Sequence, residues 1–316
     1  MRQLAILVVD ILFLLLGKAM YLTFCILGWR FIFTLGRIAG DVIYSVNRKM
    51  REITEEELNL LFGSRFAKER IKDITKRSFE DYYMRLTETI LFGAFNKERI
   101  NEIVHAEGLE NLDIALSRGK GVILLLSHFG SFLLPLPFLG YRGYNINQIT
   151  GKQIHTSLIA ERMWRWRKKD ADKLPINFIQ ADKFLRPVYK ALMNNEIVVM
   201  AFDGRDGSKW AVTEFFERKV RFSTGPFELA RNTGATIIPT FTIRMKNGTH
   251  KLVLESPFKL TNVNQTESAL LYDTRRFAKL FARYIEESPS HFGMVLYRLK
   301  SMLKMGGDSP FFVGSK

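Results

Sequence analysis

Residues Val122 to Leu126 form an unbroken run of one valine, one isoleucine and three leucines. A short run that is apolar at every position reads as a strand buried on both faces, because a half-exposed strand would alternate polar and apolar residues. Such a strand needs helices above and below it, which commits the chain to an α/β sheet. Ser127-His128-Phe129-Gly130 stands where the strand ends. Open α/β sheets gather their reactive groups beyond the carboxyl ends of strands, so His128 is the first candidate functional residue.

The remainder of the chain supplies what that strand requires. Strands are expected over 144–150, 175–180, 196–202, 235–244 and 249–255, and helices over 111–117, 155–168, 183–194, 224–233 and 268–287. The expected fold is α/β, a mostly parallel central sheet flanked by helices. Before it, Thr54-Glu55-Glu56-Glu57 reads as a helix start, and 66–92 carries apolar residues at helical spacing. The expected division is an amino-terminal anchor over 1–45, a helical preface over 46–105, the α/β domain over 106–305 and a tail over 306–316.

Residues 3 to 45 are overwhelmingly apolar, too long a stretch for a cleaved signal peptide. Leu4 to Leu27 is long enough to cross a bilayer at about 1.5 Å per residue. Asp10 and Lys18 leave open whether it spans or lies in the interface. Arg30, Arg37, Arg48, Lys49 and Arg51 follow it and only Arg2 precedes it, which places the rest of the chain on the cytoplasmic side or against an anionic leaflet. Gly36 and Gly40 have the spacing of a helix-packing face. The net charge of +15 requires anionic partners: a phospholipid surface, an acidic carrier protein or nucleic acid. With 26 phenylalanines, an apolar amino terminus and no zinc-finger, RRM or helix-turn-helix pattern, nucleic acid is disfavoured. The basic and aromatic stretch from Arg162 to Lys169 fits a phospholipid headgroup layer, a single nucleic-acid strand or an acidic carrier. Cys25, the one cysteine, excludes an internal disulfide and any cysteine-based metal site.

Four stretches fall together on the expected sheet. Ser127-His128-Phe129-Gly130 and Phe202-Asp203-Gly204-Arg205-Asp206-Gly207 each follow a parallel strand, so they share one edge. Phe222-Ser223-Thr224-Gly225-Pro226 opens a helix whose amide end favours an anion, and Ala235 to Arg244 is a strand ending in a cation. His105, His155 and His250 read as structural or surface histidines.

These residues resemble the bacterial lipid A late acyltransferases and the wider lysophospholipid acyltransferase superfamily. His128-Phe129-Gly130 looks like the start of the His-x4-acid motif, Phe202-Asp203-Gly204-Arg205 like the acceptor-phosphate motif, and Ile237-Ile238-Pro239 like the closing strand motif. Arg162 sits where the family often has an arginine, and Ser288-Pro289-Ser290-His291-Phe292 resembles a late Pro-x-x-Trp signature with Phe for Trp. The resemblance implies a bacterial inner-membrane enzyme that moves a fatty acyl chain from an acyl carrier protein or coenzyme A thioester to a hydroxyl of a lipid A-type glycolipid or lysophospholipid. It implies no metal and no further cofactor. His128 would be the base. Arg162, Gly204, Arg205, Asp206, Ser131 and Thr224 would bind substrate, and Asp203 would hold acceptor phosphates or assist the histidine.

The sequence departs from the family where the orienting acid should stand, because residue 133 is leucine. The orienting group is then Asp203, or Asp206 or Glu214, approaching from the next strand; or a backbone carbonyl or Ser131; or none. The last case is a catalytically silent lipid-binding relative. A membrane-tethered scaffold or nucleic-acid protein is the reading that charge alone permits.

Overall fold

The computed structural model describes residues 2–151, 161, 165, 168–169, 171–180, 185–203, 209–261 and 266–304. Its centre is the expected mostly parallel sheet. In chain order the strands are β1 (Val104–Glu107), β2 (Val122–Leu126), β3 (Ile146–Thr150), β4 (Ile176–Gln180), β5 (Ile197–Ala201), β6 (Trp210–Phe215), β7 (Arg218–Ser223), β8 (Thr236–Arg244) and β9 (His250–Leu254). Seven form one sheet in the order β1-β9-β8-β2-β5-β3-β4, and β6 and β7 form a separate antiparallel hairpin. From β8 to β4 the strands run parallel; β9 is antiparallel to β8, and β1 extends the edge parallel to β9. The opening apolar run is the middle strand, buried at all five positions. Ile123 and Leu125 join the core on one face with Phe202, Phe277 and Phe281, while Val122, Leu124 and Leu126 join the other with Leu133 and Phe138. Each fully buried aliphatic side chain of this kind stabilises the fold by roughly 1.5–3 kcal/mol.

Several elements differ from the sequence expectation. The helix α2 (Arg48–Phe62) starts six residues before Thr54, because the Asn47 side chain accepts from Met50 N and caps it there. Thr54 lies inside that helix, fully buried, its hydroxyl donating to Met50 O. Strand β1 is too short to show a period and straddles the expected boundary at 105. No strand was expected for the β6–β7 hairpin, whose turn residues Phe216 and Glu217 have φ of 51° and 66°. Neither is a turn-forming residue type. Phe216 offsets that strain by packing its ring 4.9 Å from Phe62. The helix expected over 155–168 falls largely outside the described residues.

The amino-terminal helix α1 (Arg2–Val46) breaks at Gly28, whose φ of 74° and ψ of −176° are non-helical. Before the break, Leu15, Leu16, Leu22, Ile26 and Leu27 are exposed, as is Cys25. The described stretch Leu15–Val46 is long and apolar enough to cross a membrane. Phe24, before the break, is nonetheless buried with its ring 6.0 Å from Phe95, and beyond Gly28 the helix lies along the protein. Trp29 Nε1 donates to Gly248 O at 2.7 Å, and Gly36 and Gly40 lie against the backbone of helix α3 (Lys68–Ile90). A Cβ at Gly40 would stand 2.5 Å from Glu80 Cα, so the glycine pair is a packing face between α1 and α3.

Under the sheet edge, where α3 meets β8, β9 and the last helix, α10 (Ser290–Lys304), the protein buries a group of charges. Arg244, the end of β8, donates from Nη1 to Asp81 Oδ1 at 2.8 Å and from Nη2 to Glu88 and to Ser131 Oγ, the latter at 2.8 Å. His250 Nε2 pairs with Glu88 Oε1 at 3.0 Å, and Ser290 Oγ donates to Asp81 Oδ2 at 2.6 Å. Burial alone would push the Glu88 carboxyl up; Arg244 and His250 reverse this and hold it at about 2. Burial lowers the pKa of His291, and its Nε2 accepts from Arg244 N at 2.9 Å, which fits a neutral ring. These charges are compensated only as a set.

Two outcomes test this packing. Gly40→Val forces the α1–α3 backbones apart and is expected to cost about 1–3 kcal/mol, on the order of 5 °C in Tm; an unchanged melting curve counts against the packing face. Since the Glu88 pKa is lowered in the folded chain, its ionised form contributes stability above pH 4.5 that is lost as pH falls towards 2. Glu88→Gln is therefore expected to destabilise the protein at neutral pH by about 3–5 kcal/mol. In pH-dependent thermal melts it should also flatten the acid limb.

Candidate active site

The register of β2 and β5 decides which side chains meet. The two strands run parallel with Leu126 opposite Ala201, and Phe202 N donates to Leu126 O at 2.7 Å. Two residues further along each chain come His128 and Asp203, side by side. The carboxylate accepts from His128 N through Oδ1 at 3.0 Å and Oδ2 at 3.1 Å, and its Oδ1 stands 3.1 Å from His128 Nδ1. A carboxylate only accepts, so Nδ1 carries the proton in this pair. Among the described residues Nε2 has no protein partner. The Asp203 side chain is 1% exposed and that of His128 is 32% exposed, so the pair has a fixed end and an open end.

The loop carrying His128 is held at every position. Phe129 is buried, with its ring stacked 5.2 Å from His291. Gly130 has φ of 54°, and a Cβ there would meet Thr242 O at 2.0 Å, so only glycine fits. Ser131 is buried and its hydroxyl accepts from Arg244. Phe132 turns back to set its ring edge against the imidazole, 4.9 Å between centroids. Leu133 belongs to the apolar core beneath, with Leu134 and Leu136.

A small cleft opens over this pair. His128, Asp203 and Phe132 contribute to its lining. Arg85 from α3 and Arg298, Val295 and Leu299 from α10 complete the lining, with Arg85 against the Phe132 ring. A wider hollow between α2 and α3 is lined by Glu52, Glu55, Glu56, Lys68 and Lys72 and offers neither a base nor a nucleophile. Among the described residues no group of three His, Cys, Asp or Glu is arranged to hold a metal ion.

Of the residues singled out from the sequence, the structure brings His128 and Asp203 together. Ser131 lies three residues on but spends its hydroxyl on Arg244. Thr224 is buried at the start of helix α8 (Gly225–Thr233), where its carbonyl accepts from Phe227 N and Glu228 N. Arg162, Gly204, Arg205 and Asp206 lie outside the described residues, as does His155. Lys209 pairs with Glu228 at 2.6 Å, Arg218 with the buried Glu57 at 3.0 Å, and His250 with Glu88, so these three serve structure. The late Pro289-Ser290-His291-Phe292 stretch opens α10 and clamps the histidine loop from behind: Gly130 N donates to His291 O, and Ser290 reaches Asp81. Arg85 and Arg298 were not anticipated. They sit more than 200 residues apart, Arg85 in the helical preface and Arg298 about two turns beyond the late motif, and no sequence spacing joins them.

Comparison with known proteins agrees with this geometry. The family model for bacterial lipid A biosynthesis acyltransferase matches residues 2–301. The chain is 25% identical over 231 residues to the lipid A biosynthesis lauroyltransferase of Escherichia coli K12, covering 72% of each protein. It is 26% identical over 235 residues to the lipid A biosynthesis palmitoleoyltransferase of the same organism, covering 71% of this chain and 69% of that one. It is also 28% identical over 135 residues to the phosphatidylinositol mannoside acyltransferase of Mycobacterium tuberculosis H37Rv, 42% of each. With the match running through nearly the whole α/β domain and its amino-terminal helix, the chain belongs to the bacterial lipid A biosynthesis acyltransferase family and is an acyltransferase.

Proposed function

We propose that this acyltransferase moves a fatty acyl chain from a carrier thioester, on acyl carrier protein or coenzyme A, to a hydroxyl of a lipid A-type glycolipid. The reading is carried by one observation, the His128 imidazole held through Nδ1 by the buried Asp203 and open at Nε2. The relatives support the acceptor class, since two are named for lipid A and one for phosphatidylinositol mannoside. In the proposed step, His128 Nε2 takes the proton of the acceptor hydroxyl as its oxygen attacks the thioester carbonyl. The tetrahedral intermediate collapses with cleavage of the C–S bond, and the imidazolium returns its proton to the departing thiolate. Asp203 fixes the tautomer that makes Nε2 the base and stabilises the imidazolium between the two transfers. It thereby takes the part that an acid at position 133 would have played. No metal or other cofactor enters this step.

The reaction is proposed to run at the bacterial inner membrane, with the α/β domain on the cytoplasmic side. The exposed apolar residues before Gly28 support a helix seated in the bilayer. Arg30, Arg37, Arg48 and Lys49, all exposed beyond the break, suit anionic headgroups and the positive-inside bias.

Purified protein assayed by mass spectrometry with an acyl thioester donor and a hydroxylated glycolipid is expected to transfer the acyl chain. His128→Ala should abolish transfer, and Asp203→Asn should lower kcat by about 10²–10⁴. Transfer undiminished in His128→Ala sinks the reading. Leu133→Glu should give no gain in rate, since Asp203 already holds the ring, and should destabilise the chain by burying a carboxylate among Leu134 and Leu136 at a cost of several kcal/mol. A faster Leu133→Glu enzyme would mean that Asp203 does not do the orienting.

A further inference from the structure

Arg85 and Arg298 line the cleft beside His128. Arg85 is half-buried against the rings of Phe132 and Tyr82, its guanidinium carbon 5.3 Å from each ring centroid. Arg298 is exposed at the mouth of the same cleft. Among the described residues neither makes an ion pair. The nearest buried acid on the Arg85 helix, Glu88, is already taken by Arg244 and His250. The arrangement is costly as it stands: burial, and then the positive charge of Arg298, push the Arg85 guanidinium down to about 10. By contrast Arg218, Arg231 and Arg244, whose side chains are 18%, 10% and 3% exposed, each face a carboxylate. Two like charges in one cleft with His128, with no ion-paired acid among the described residues, suit an anion that arrives with a substrate.

We infer that Arg85 and Arg298 form a phosphate-ester site in the cleft that His128 lines, gripping a phosphate of one of the two substrates while its reacting group lies at the imidazole. Guanidinium groups suit a phosphate because each offers paired N–H donors to its oxygens. Phe132 touches both the His128 ring and the Arg85 guanidinium, so one side chain sets the anion site and the base. Because α3 and α10 contribute one arginine each, the helical preface and the carboxyl-terminal helix become parts of the substrate site as well as of the scaffold. The inference rests on reading the cleft as the acyl-transfer site. The same chemistry fits a phosphate on the acceptor glycolipid or the phosphate of a donor's phosphopantetheine arm.

The two sources are separated by binding to the full chain in detergent micelles. Calorimetry would compare phosphopantetheine with pantetheine, and a phosphate-bearing glycolipid with its phosphatase-treated form. The proteins compared are wild type, Arg298→Gln, Arg85→Gln with Arg298→Gln, and Arg118→Gln, an exposed control at the other end of β2. The double variant should lose about tenfold or more in affinity for one phosphorylated member, the scale of a charge-assisted hydrogen bond, and nothing for its phosphate-free partner. Arg298→Gln alone, at an exposed position that cannot unfold the core, should lose about threefold or more for the same member. Arg118→Gln should match wild type. Loss confined to the glycolipid assigns the site to the acceptor, and loss confined to phosphopantetheine assigns it to the donor. Equal affinities in wild type and both variants, or equal losses with and without phosphate, overturn the inference; an effect on kcat alone would do the same, making the arginines stabilisers of the tetrahedral oxyanion. Acyl transfer measured on the same samples keeps the two ideas apart, because wild-type binding without any transfer counts against the acyl-transfer reading only.

Discussion

The fixed point of this protein is a carboxylate shared by a backbone and a ring. Asp203 accepts from the amide of His128 and faces its Nδ1 at the same time, which ties the ends of two neighbouring parallel strands together and sets the imidazole plane in one gesture. A ring hydrogen bond alone would leave the loop free to move, and an amide hydrogen bond alone would leave the ring free to turn. With both, the histidine loses little further freedom when substrate arrives, which is the entropic condition for an efficient base. The register Leu126 to Ala201 makes the contact possible; a slip of one residue would turn the Asp203 side chain to the opposite face.

That arrangement is supported from below by the buried ions around Arg244. Asp81, Glu88 and Ser131 meet on its guanidinium, His291 accepts from its backbone, and His250 closes on Glu88. Through Ser131 and His291 this group reaches the loop that carries His128, so the helices of the preface position the site at a distance. The α1–α3 contact through Gly36 and Gly40 extends the chain of support to the apolar amino-terminal segment. The apolar amino-terminal helix and the loop that carries His128 are thereby linked through packed elements.

Much of this was legible in the residues themselves. The strand Val122 to Leu126 announced itself by having no polar position, and parallel strands fixed which edge His128 and Asp203 would share. With leucine at position 133 the orienting group stayed open between an acid from the next strand, Asp203 first, a backbone carbonyl or Ser131, and none at all; the structure places the Asp203 carboxylate at the ring. What stayed hidden has physical causes. The hairpin β6–β7 turns on Phe216 and Glu217, which carry no turn signature; packing of the Phe216 ring on Phe62 offsets the strain there. The true cap of α2 is Asn47, obscured by the acids that follow Thr54 within the same helix. Arg85 and Arg298 meet only because α3 packs on α10, a contact between distant segments that no local pattern encodes.

The central claim is that Asp203 holds the His128 ring with its proton on Nδ1 and its lone pair on Nε2. Nitrogen-15 NMR of the histidine-labelled protein reads this directly, since the two ring nitrogens of each of the five histidines differ in shift according to which carries hydrogen. The account predicts that the neutral His128 ring is Nδ1-protonated in the wild type and becomes mixed or inverted in Asp203→Asn. A wild-type ring protonated on Nε2, or one indifferent to Asp203→Asn, would contradict it.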